Sequence, residues 1–263
     1  MMIFTTMATR HKHFLKRLFS AIGILLFWLV FWHLLAILIN EPLFLPTPFA
    51  VFSALSRIFS QGGAYLTALT SLIRILTGFF EGVLLGILLA IATELCPLLK
   101  ALLSPVLSVI RSTPVASFIM LLWLVLGNEN LPIVIALLMV VPLIQGNVSA
   151  GIRSISPELN EVCTVYQLPL KKRFFYHIYP SVMPFFAPAF VNALGLAWKA
   201  GVAAEVLANT PLSIGREIYF SKSYLEVEEL YAWTLCVVVL SLILENIVKK
   251  LFKKWTREGL KNA

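Results

Sequence analysis

The chain has 263 residues, of which 59% are hydrophobic and only 13% are charged, and its formal net charge is +8. Soluble domains usually carry about 25% charged residues, so a chain this apolar cannot cover itself with a water-facing surface. We therefore interpret it as one transmembrane domain that spans residues 1–263 of the chain. The positive charges gather at the ends of apolar runs, which is typical of membrane orientation and argues against nucleic-acid binding.

Six apolar runs approach the length of about 20 residues that a transmembrane helix needs. A basic segment precedes the first run, which is too long for a signal peptide and lacks a cleavage site, so we expect an uncleaved first helix. Pro114 breaks the third run, so that its first part can lie at the membrane interface and its second part can span. The predicted transmembrane helices cover residues 18–39, 66–93, 101–126, 131–148, 182–208 and 230–248.

The basic residues predict the orientation of these six spans. With the N-terminus inside, only three lysines and arginines fall outside, namely Arg57, Arg216 and Lys222. This bias predicts cytoplasmic N- and C-termini. The fifteen inside are Arg10, Lys12, Lys16, Arg17, Lys100, Arg153, Lys171, Lys172, Arg173, Lys249, Lys250, Lys253, Lys254, Arg257 and Lys261.

The longest cytoplasmic connection, residues 149–181, interrupts the apolar chain with polar and basic residues. Ser156 can cap a helix over 157–166, and Pro157 suits its first turn. A second short helix is expected over 170–179, stopped by Pro180. The pair would present one apolar face and a basic rim, which fits either a groove on a partner protein or an anionic lipid surface.

This connection resembles the cytoplasmic signature of ABC-importer permeases, E-A-A-x3-G-x9-I-x-L-P. Glu161 matches the glutamate and Pro180 the terminal proline, while Gln167 replaces the glycine. Four further segments are similar to permeases of the sulfonate, taurine and nitrate type, in the same order along the chain. These segments are LPTP, SLIRILTGFFEGVLLGILLAI, IRSTPVASFIMLLWLVLG and AWKAGVAAEVLA. In the cytoplasmic signature, the remaining positions are held by Val162, Cys163, His177 and Tyr179.

The resemblance implies an all-α membrane protein with a type I ABC importer-like fold and six transmembrane helices, paired as a homodimer in a bacterial inner membrane. Its implied partners are ATP-binding cassette ATPase subunits, which hold ATP and Mg, and an extracytoplasmic substrate-binding protein; this chain would hold no cofactor or metal of its own. The cytoplasmic loop would couple the permease to the ATPase subunits. Because Gln167 replaces the signature glycine, the turn of the loop is expected to form in another way. The implied coupling residues are Glu158, Glu161, Gln167, Leu168, Pro169 and Leu170.

Polar residues inside apolar runs are costly and are therefore candidate sites. Arg74 and Glu81 lie two helical turns apart, which predicts a structural ion pair or interhelical link, or else a transport role. Gly78, Gly82, Gly86 and Ala90 follow at four-residue spacing, which predicts a seam of close helix packing. Candidates for the translocation path are Arg111, Ser112, Thr113, Asn192 and Lys199.

Glu205 is expected to make a structural bond near the outer end of its helix. Two alternatives remain open at this point. Arg111 could simply extend to the cytoplasmic lipid interface. A stand-alone secondary transporter or channel could instead use Arg74, Glu81, Lys199 and Glu205 as an ion pathway. The chain has no phosphate-binding Gly-Lys-Ser/Thr loop, so we expect it not to hydrolyse ATP, and the sequence does not separate organic or inorganic anions from vitamin-like substrates.

Overall fold

The computed structural model describes the backbone of residues 3–259 and the side chains of Ser20 and residues 22–253. Within that range the chain is all-helical. The helices are α1 (Ile3–Ile39), α2 (Pro48–Ser60), α3 (Ala64–Leu95), α4 (Pro97–Ser112), α5 (Val115–Arg153), α6 (Pro157–Val165), α7 (Leu170–Arg173), α8 (Tyr179–Ala208), α9 (Ile214–Ser223) and α10 (Val227–Gly259). The basic side chains predicted at the two cytoplasmic termini, Arg10, Lys12, Lys16, Arg17, Lys254, Arg257 and Lys261, lie outside the described residues.

Five segments in the described range are long and apolar enough to cross a membrane. The first differs from the others because only 6% of its residues are buried. Trp32 supplies one of its few anchors, donating from Nε1 to the Pro46 carbonyl at 3.1 Å. The candidate spans are Ile22–Ile39, Ala64–Leu95, Val115–Arg153, Leu170–Ala208 and Val227–Lys253.

The breaks in and after the third predicted run lie where the sequence places them. The chain leaves the helical conformation at Thr113 and Pro114, where ψ is 132° and 134°. It then continues through α5, in which Gly127 (φ 68°, ψ −171°) leaves the helical conformation and separates two helical segments. One glycine at positive φ thus makes the turn between the third and fourth predicted runs. The number of membrane crossings stays a prediction.

The core lies where α3, α5 and α8 pack together, and the predicted glycine seam of α3 is confirmed. A Cβ atom added to Gly78 would lie 2.1 Å from the carbonyl oxygen of Ile133 on α5. Added to Gly82, it would lie 2.8 Å from the Cβ atom of Val140. The two helix backbones can approach this closely because the glycines have no side chains.

The prediction that Pro180 stops the second short helix is wrong. A π-helical turn over Phe174–Ile178 joins α7 directly to α8, and Pro180 lies within the first turn of α8. The Tyr179 N–H reaches the Phe174 carbonyl, five residues back. A π turn widens the backbone, which accommodates a ring that would otherwise collide with the carbonyl four residues before it. The helix therefore runs continuously into the fifth predicted span.

Candidate functional site: an exposed hairpin and two polar clusters

The segment Pro157–Arg173, here called the α6–α7 hairpin, begins with a capped helix. The Leu159 N–H donates to the Ser156 side-chain oxygen at 3.3 Å, which satisfies one otherwise free amide of the first turn. The Ser156 hydroxyl also donates to the carboxylate of Glu158. This bond, with a smaller contribution from the Glu158 backbone N–H, lowers the pKa of the Glu158 carboxyl below its ordinary value. The carboxylate thus stays ionised at the positive end of α6.

The turn of the hairpin has the geometry that a glycine usually provides, although Gln167 stands at that position. Gln167 itself takes the left-handed conformation, with φ 48°. The Leu168 N–H donates to the Cys163 carbonyl at 3.0 Å, and the Gln167 N–H to the Thr164 carbonyl at 3.1 Å. This is the hydrogen-bond pattern of a Schellman C-cap. The expectation of a different turn is therefore wrong, and Gln167 bears the conformational cost that a glycine would avoid.

One side-chain contact ties the two arms of the hairpin together. Arg173 Nη2 donates to Asn160 Oδ1 at 2.7 Å. The two residues lie on different helices, so no helical periodicity pairs them, and sequence reasoning missed the contact. The bond links α6 to the last residue of α7.

The predicted apolar face of the hairpin is exposed. Leu159 is 54% accessible and Val162 47%, while Val165, Tyr166 and Leu170 exceed 70%. All six residues predicted to couple to a partner lie on the surface of this hairpin, around its turn. Their coupling role stays a prediction. The six are Glu158, Glu161, Gln167, Leu168, Pro169 and Leu170.

A buried polar cluster lies at the opposite end of the helix bundle. The side chain of Glu205 is fully buried, and Arg74 Nη1 donates to its Oε1 at 3.2 Å. The Ser71 hydroxyl and the Gly215 N–H donate to Oε2 at 2.8 and 3.3 Å. Ser71, Arg74, Glu205 and Gly215 form what we call the Glu205 cluster. It joins α3, α8 and the first turn of α9.

This cluster decides between the predicted links of Arg74: the interhelical link is confirmed, and the ion pair with Glu81 is wrong. Arg74 binds Glu205 and not Glu81, which is exposed on α3. The expected structural bond of Glu205 is present. Of the four residues of the alternative ion pathway, Arg74 and Glu205 bond each other, whereas Glu81 and Lys199 are exposed, so that pathway stays a prediction.

Sequence reasoning missed Ser71 and Gly215, which complete the Glu205 cluster. Ser71 also accepts a hydrogen bond from the Ile214 N–H at 2.8 Å. A Cβ atom on Gly215 would lie 2.3 Å from the Cβ atom of Glu205, so only glycine allows α9 to approach α8. The sequence signal for this contact was a glycine, Gly215, in the first turn of the short helix α9.

Arg111 lines a cavity of about 440 Å³ between α4, α5 and α8, together with Thr113 and Leu196. Its Nη2 donates to the Pro142 carbonyl at 2.8 Å and to Gln145 Oε1 at 3.3 Å. Arg111 is therefore held against α5 by uncharged oxygen atoms. Its role in the translocation path stays a prediction.

The other predicted path residues are only partly brought together. Thr113 shares the cavity of Arg111, whereas Asn192 lines a separate cavity of about 340 Å³ beside Lys249. The Ser112 hydroxyl bonds its own helix, at the Val109 carbonyl. Asn192 and Lys199 are both exposed on α8, seven residues apart and so on one helix face.

The helical arrangement defines the class of fold. The chain resembles the crystal structure of an amino acid ABC transporter with histidines, with a TM-score of 0.59 and 17% sequence identity, over 78% of this chain and 97% of that one. It therefore has a type I importer-like fold. The chain is also 23% identical to a putative ABC transporter permease protein of Methanocaldococcus jannaschii, over 86% of each sequence.

Residues 82–257 match the family described as the binding-protein-dependent transport system inner membrane component. Because this match covers more than half of the chain, the protein belongs to that family. It is a multi-pass membrane protein and a permease component of an ABC transporter. Permeases of this family work with ATPase and substrate-binding partners.

Proposed function

We propose that this protein is the permease subunit of an ATP-driven importer, and that it passes a small solute from a binding protein into the cell by alternating access. ATP and Mg²⁺ would bind to separate ATPase subunits, and this chain would not hydrolyse ATP. The observation that carries the proposal is the exposed α6–α7 hairpin. Its movement with the ATPase would supply the differential contacts that bias the permease between two conformations.

The surface chemistry of the hairpin favours a protein groove over lipid headgroups. Its exposed apolar side chains Leu159, Val162, Tyr166 and Leu170 lie on both sides of the turn. A helix that rests on lipid needs a continuous apolar stripe with cations beside it. Here the left-handed Gln167 divides the apolar groups between two short helices, which fits insertion into a cleft.

The ends of the helices support a cytoplasmic position for the hairpin. Arg153, at the end of α5, and Lys100, at the start of α4, both donate to Glu94, so these inside-predicted charges meet at one end. Arg57, in the last turn of α2, pairs with Glu229 in the first turn of α10. Basic residues concentrate on the cytoplasmic side of membrane proteins. The proposed topology therefore has the hairpin, and both chain termini, in the cytoplasm.

The translocation path is proposed to form between two copies of the chain. Asn192, Leu196 and Lys199 are exposed along one face of α8, and Leu196 also borders the cavity of Arg111. An unpaired lysine on a membrane helix is costly when it faces lipid, so this face suits a water-filled seam of a homodimer. Small organic or inorganic anions and vitamin-like compounds are the proposed substrates, as in sulfonate, taurine and nitrate permeases.

The proposal is tested by disrupting the hairpin surface without touching the helix core. Glu161→Lys combined with Leu168→Asp should abolish co-purification of the co-expressed ATP-binding cassette subunit, while the melting temperature of the permease stays the same. The matched control is Lys222→Glu with Leu225→Asp, since both of its residues are exposed at the other end of the bundle. Undiminished ATPase binding by the hairpin variant would refute the proposed coupling.

A further inference from the structure

The proposed transport function gives no role to a small polar pocket that shares only Arg111 with the candidate path residues. It has a volume of about 110 Å³ and lies between α4, the end of α3 and the cytoplasmic half of α5. Two leucines of α4 complete its wall. Its polar lining residues are Thr93, Lys100, Ser104, Ser108, Arg111 and Gln145.

The sequence of α4 builds one wall of this pocket. Lys100, Ser104 and Ser108 follow at four-residue steps, and Arg111 comes three residues later, so all four share one face of the helix. The opposite face carries apolar side chains that are more than half exposed, at Leu98, Leu102, Val106 and Val109. Thus α4 turns an apolar face to the bilayer and a face of hydrogen-bond donors to the pocket.

The charges around the pocket leave a positive excess. Lys100 Nζ lies 3.2 Å from Glu94 Oε1, and Arg153 Nη1 lies 2.6 Å from the same oxygen, so one carboxylate serves two cations. Arg111 adds a third positive charge, and its described bonds go only to uncharged oxygens. No acidic side chain lines the pocket itself. Lys100, Arg111 and Arg153 are all exposed, so this positive surplus is open to an anion from the surroundings.

Gln145 makes the floor of the pocket rigid. Its Nε2 donates to Thr93 Oγ1 at 3.3 Å and to Ser149 Oγ at 3.2 Å, while its Oε1 accepts from Arg111. The groups that keep free donor capacity are the remaining N–H groups of Lys100 and Arg111 and the hydroxyls of Ser104 and Ser108. Neither hydroxyl bonds another described residue. Converging cationic and hydroxyl donors are the chemistry that recognises phosphate.

We propose that this pocket binds a phosphate group. Two sources offer that chemistry: the headgroup of an anionic phospholipid in the adjacent leaflet, and a small phosphorylated solute or inorganic phosphate. The exposed leucines and valines of α4 would hold the acyl chains in the first case. The proposal does not require ATPase coupling, so it stands or falls apart from the importer function.

The first arm of the test uses the purified full-length protein in lipid nanodiscs. Native mass spectrometry would count the phosphatidylglycerol that the protein retains from an equal mixture with phosphatidylcholine. We expect the triple variant Lys100→Gln, Ser104→Ala, Ser108→Ala to weaken retention at least tenfold, because it removes three donors to a charged group. Arg111 stays unchanged, since the proposed path uses it.

The second arm distinguishes a solute from a lipid. Inorganic phosphate would be titrated into the protein in nanodiscs of phosphatidylcholine alone, and binding that the triple variant loses would identify a solute site. The control is Lys249→Gln, because Lys249 is also an exposed lysine paired with a glutamate, at 2.9 Å from Glu245. Equal melting temperatures verify folding, and Ser104→Ala with Ser108→Ala alone should give a smaller loss.

The outcomes are decisive in both directions. Retention of phosphatidylglycerol or binding of phosphate by the wild type and the Lys249→Gln control, with loss in the triple variant, supports the site. Absence of both in the wild type, or equal binding by the triple variant, overturns the proposal.

Discussion

The Glu205 cluster and the α6–α7 hairpin, at opposite ends of the molecule, differ in how far their side chains are buried. At the Glu205 cluster, the carboxylate is fully buried and accepts bonds from Ser71, Arg74 and Gly215. At the α6–α7 hairpin, Val165, Tyr166 and Leu170 are 75–83% exposed. The cluster satisfies its costly groups internally, as a structural element must. The hairpin leaves apolar surface uncovered, as the proposed docking to a partner requires.

The largest expected effect comes from removing the carboxylate of the cluster. Glu205→Leu leaves the guanidinium of Arg74 and the Gly215 N–H without their acceptor. Breaking a buried ion pair in this way costs about 3–5 kcal/mol. We expect that loss in reversible unfolding of the purified protein in bicelles. Glu81→Leu, on the same helix but exposed, serves as the control and should not destabilise the protein; equal losses in both variants would contradict a special role for the cluster.

The next effect tests the packing of α3 on α5, which supports the cluster. Gly78→Ala places a Cβ atom where the Ile133 carbonyl lies 2.1 Å away, so the helices must separate. Overpacking of this kind costs about 1–3 kcal/mol or more. The melting temperature should therefore fall. Gly23→Ala is the control, because nothing lies within 4 Å of its added Cβ atom; a similar fall there would reject the packing argument.

A smaller effect, of opposite sign, is expected at the turn of the hairpin. Gln167→Gly relieves a left-handed residue whose strain is about 1–2 kcal/mol, less the extra chain entropy of glycine. The Leu168 amide, which donates to Cys163, should then exchange its hydrogen more slowly. Gln167→Val should speed that exchange, since a branched side chain fits this conformation poorly. No difference between the two variants would show that the turn is not strained.

The smallest effect concerns the start of α6. Ser156→Ala removes the hydroxyl that lowers the pKa of Glu158, so that pKa should rise toward its ordinary value. Because the folded pKa is lowered, the carboxylate stabilises α6 above its unfolded pKa, and this contribution is lost as the pH falls through the folded pKa. NMR titration of Glu158 tests this prediction. Ser223→Ala, outside the hairpin, should leave the titration unchanged.

Sequence reasoning succeeded where one helix carries the whole signal. The glycine seam of α3 depends only on local spacing, and the start of α6 follows from the Ser156-Pro157 pair. It failed where distant elements decide. Arg74 and Glu205 are 131 residues apart, so periodicity on α3 suggested Glu81 instead.

The turn and the proline show a second kind of limit. Gln167 adopts a conformation that its residue type disfavours, because the surrounding hydrogen bonds of the turn compensate. Pro180 was expected to end a helix, yet a π turn accommodates it. Residue preferences are weak beside such specific backbone arrangements.

The most direct test of the account is the accessibility of the hairpin tip. A cysteine at Leu170, which is 83% exposed, would be labelled with a membrane-impermeant maleimide in a Cys96→Ser background, where the remaining cysteines are buried. We predict labelling only from the cytoplasmic side, and protection when the ATPase subunit is bound. Labelling from outside intact cells, or undiminished labelling in the ATPase complex, would contradict the account.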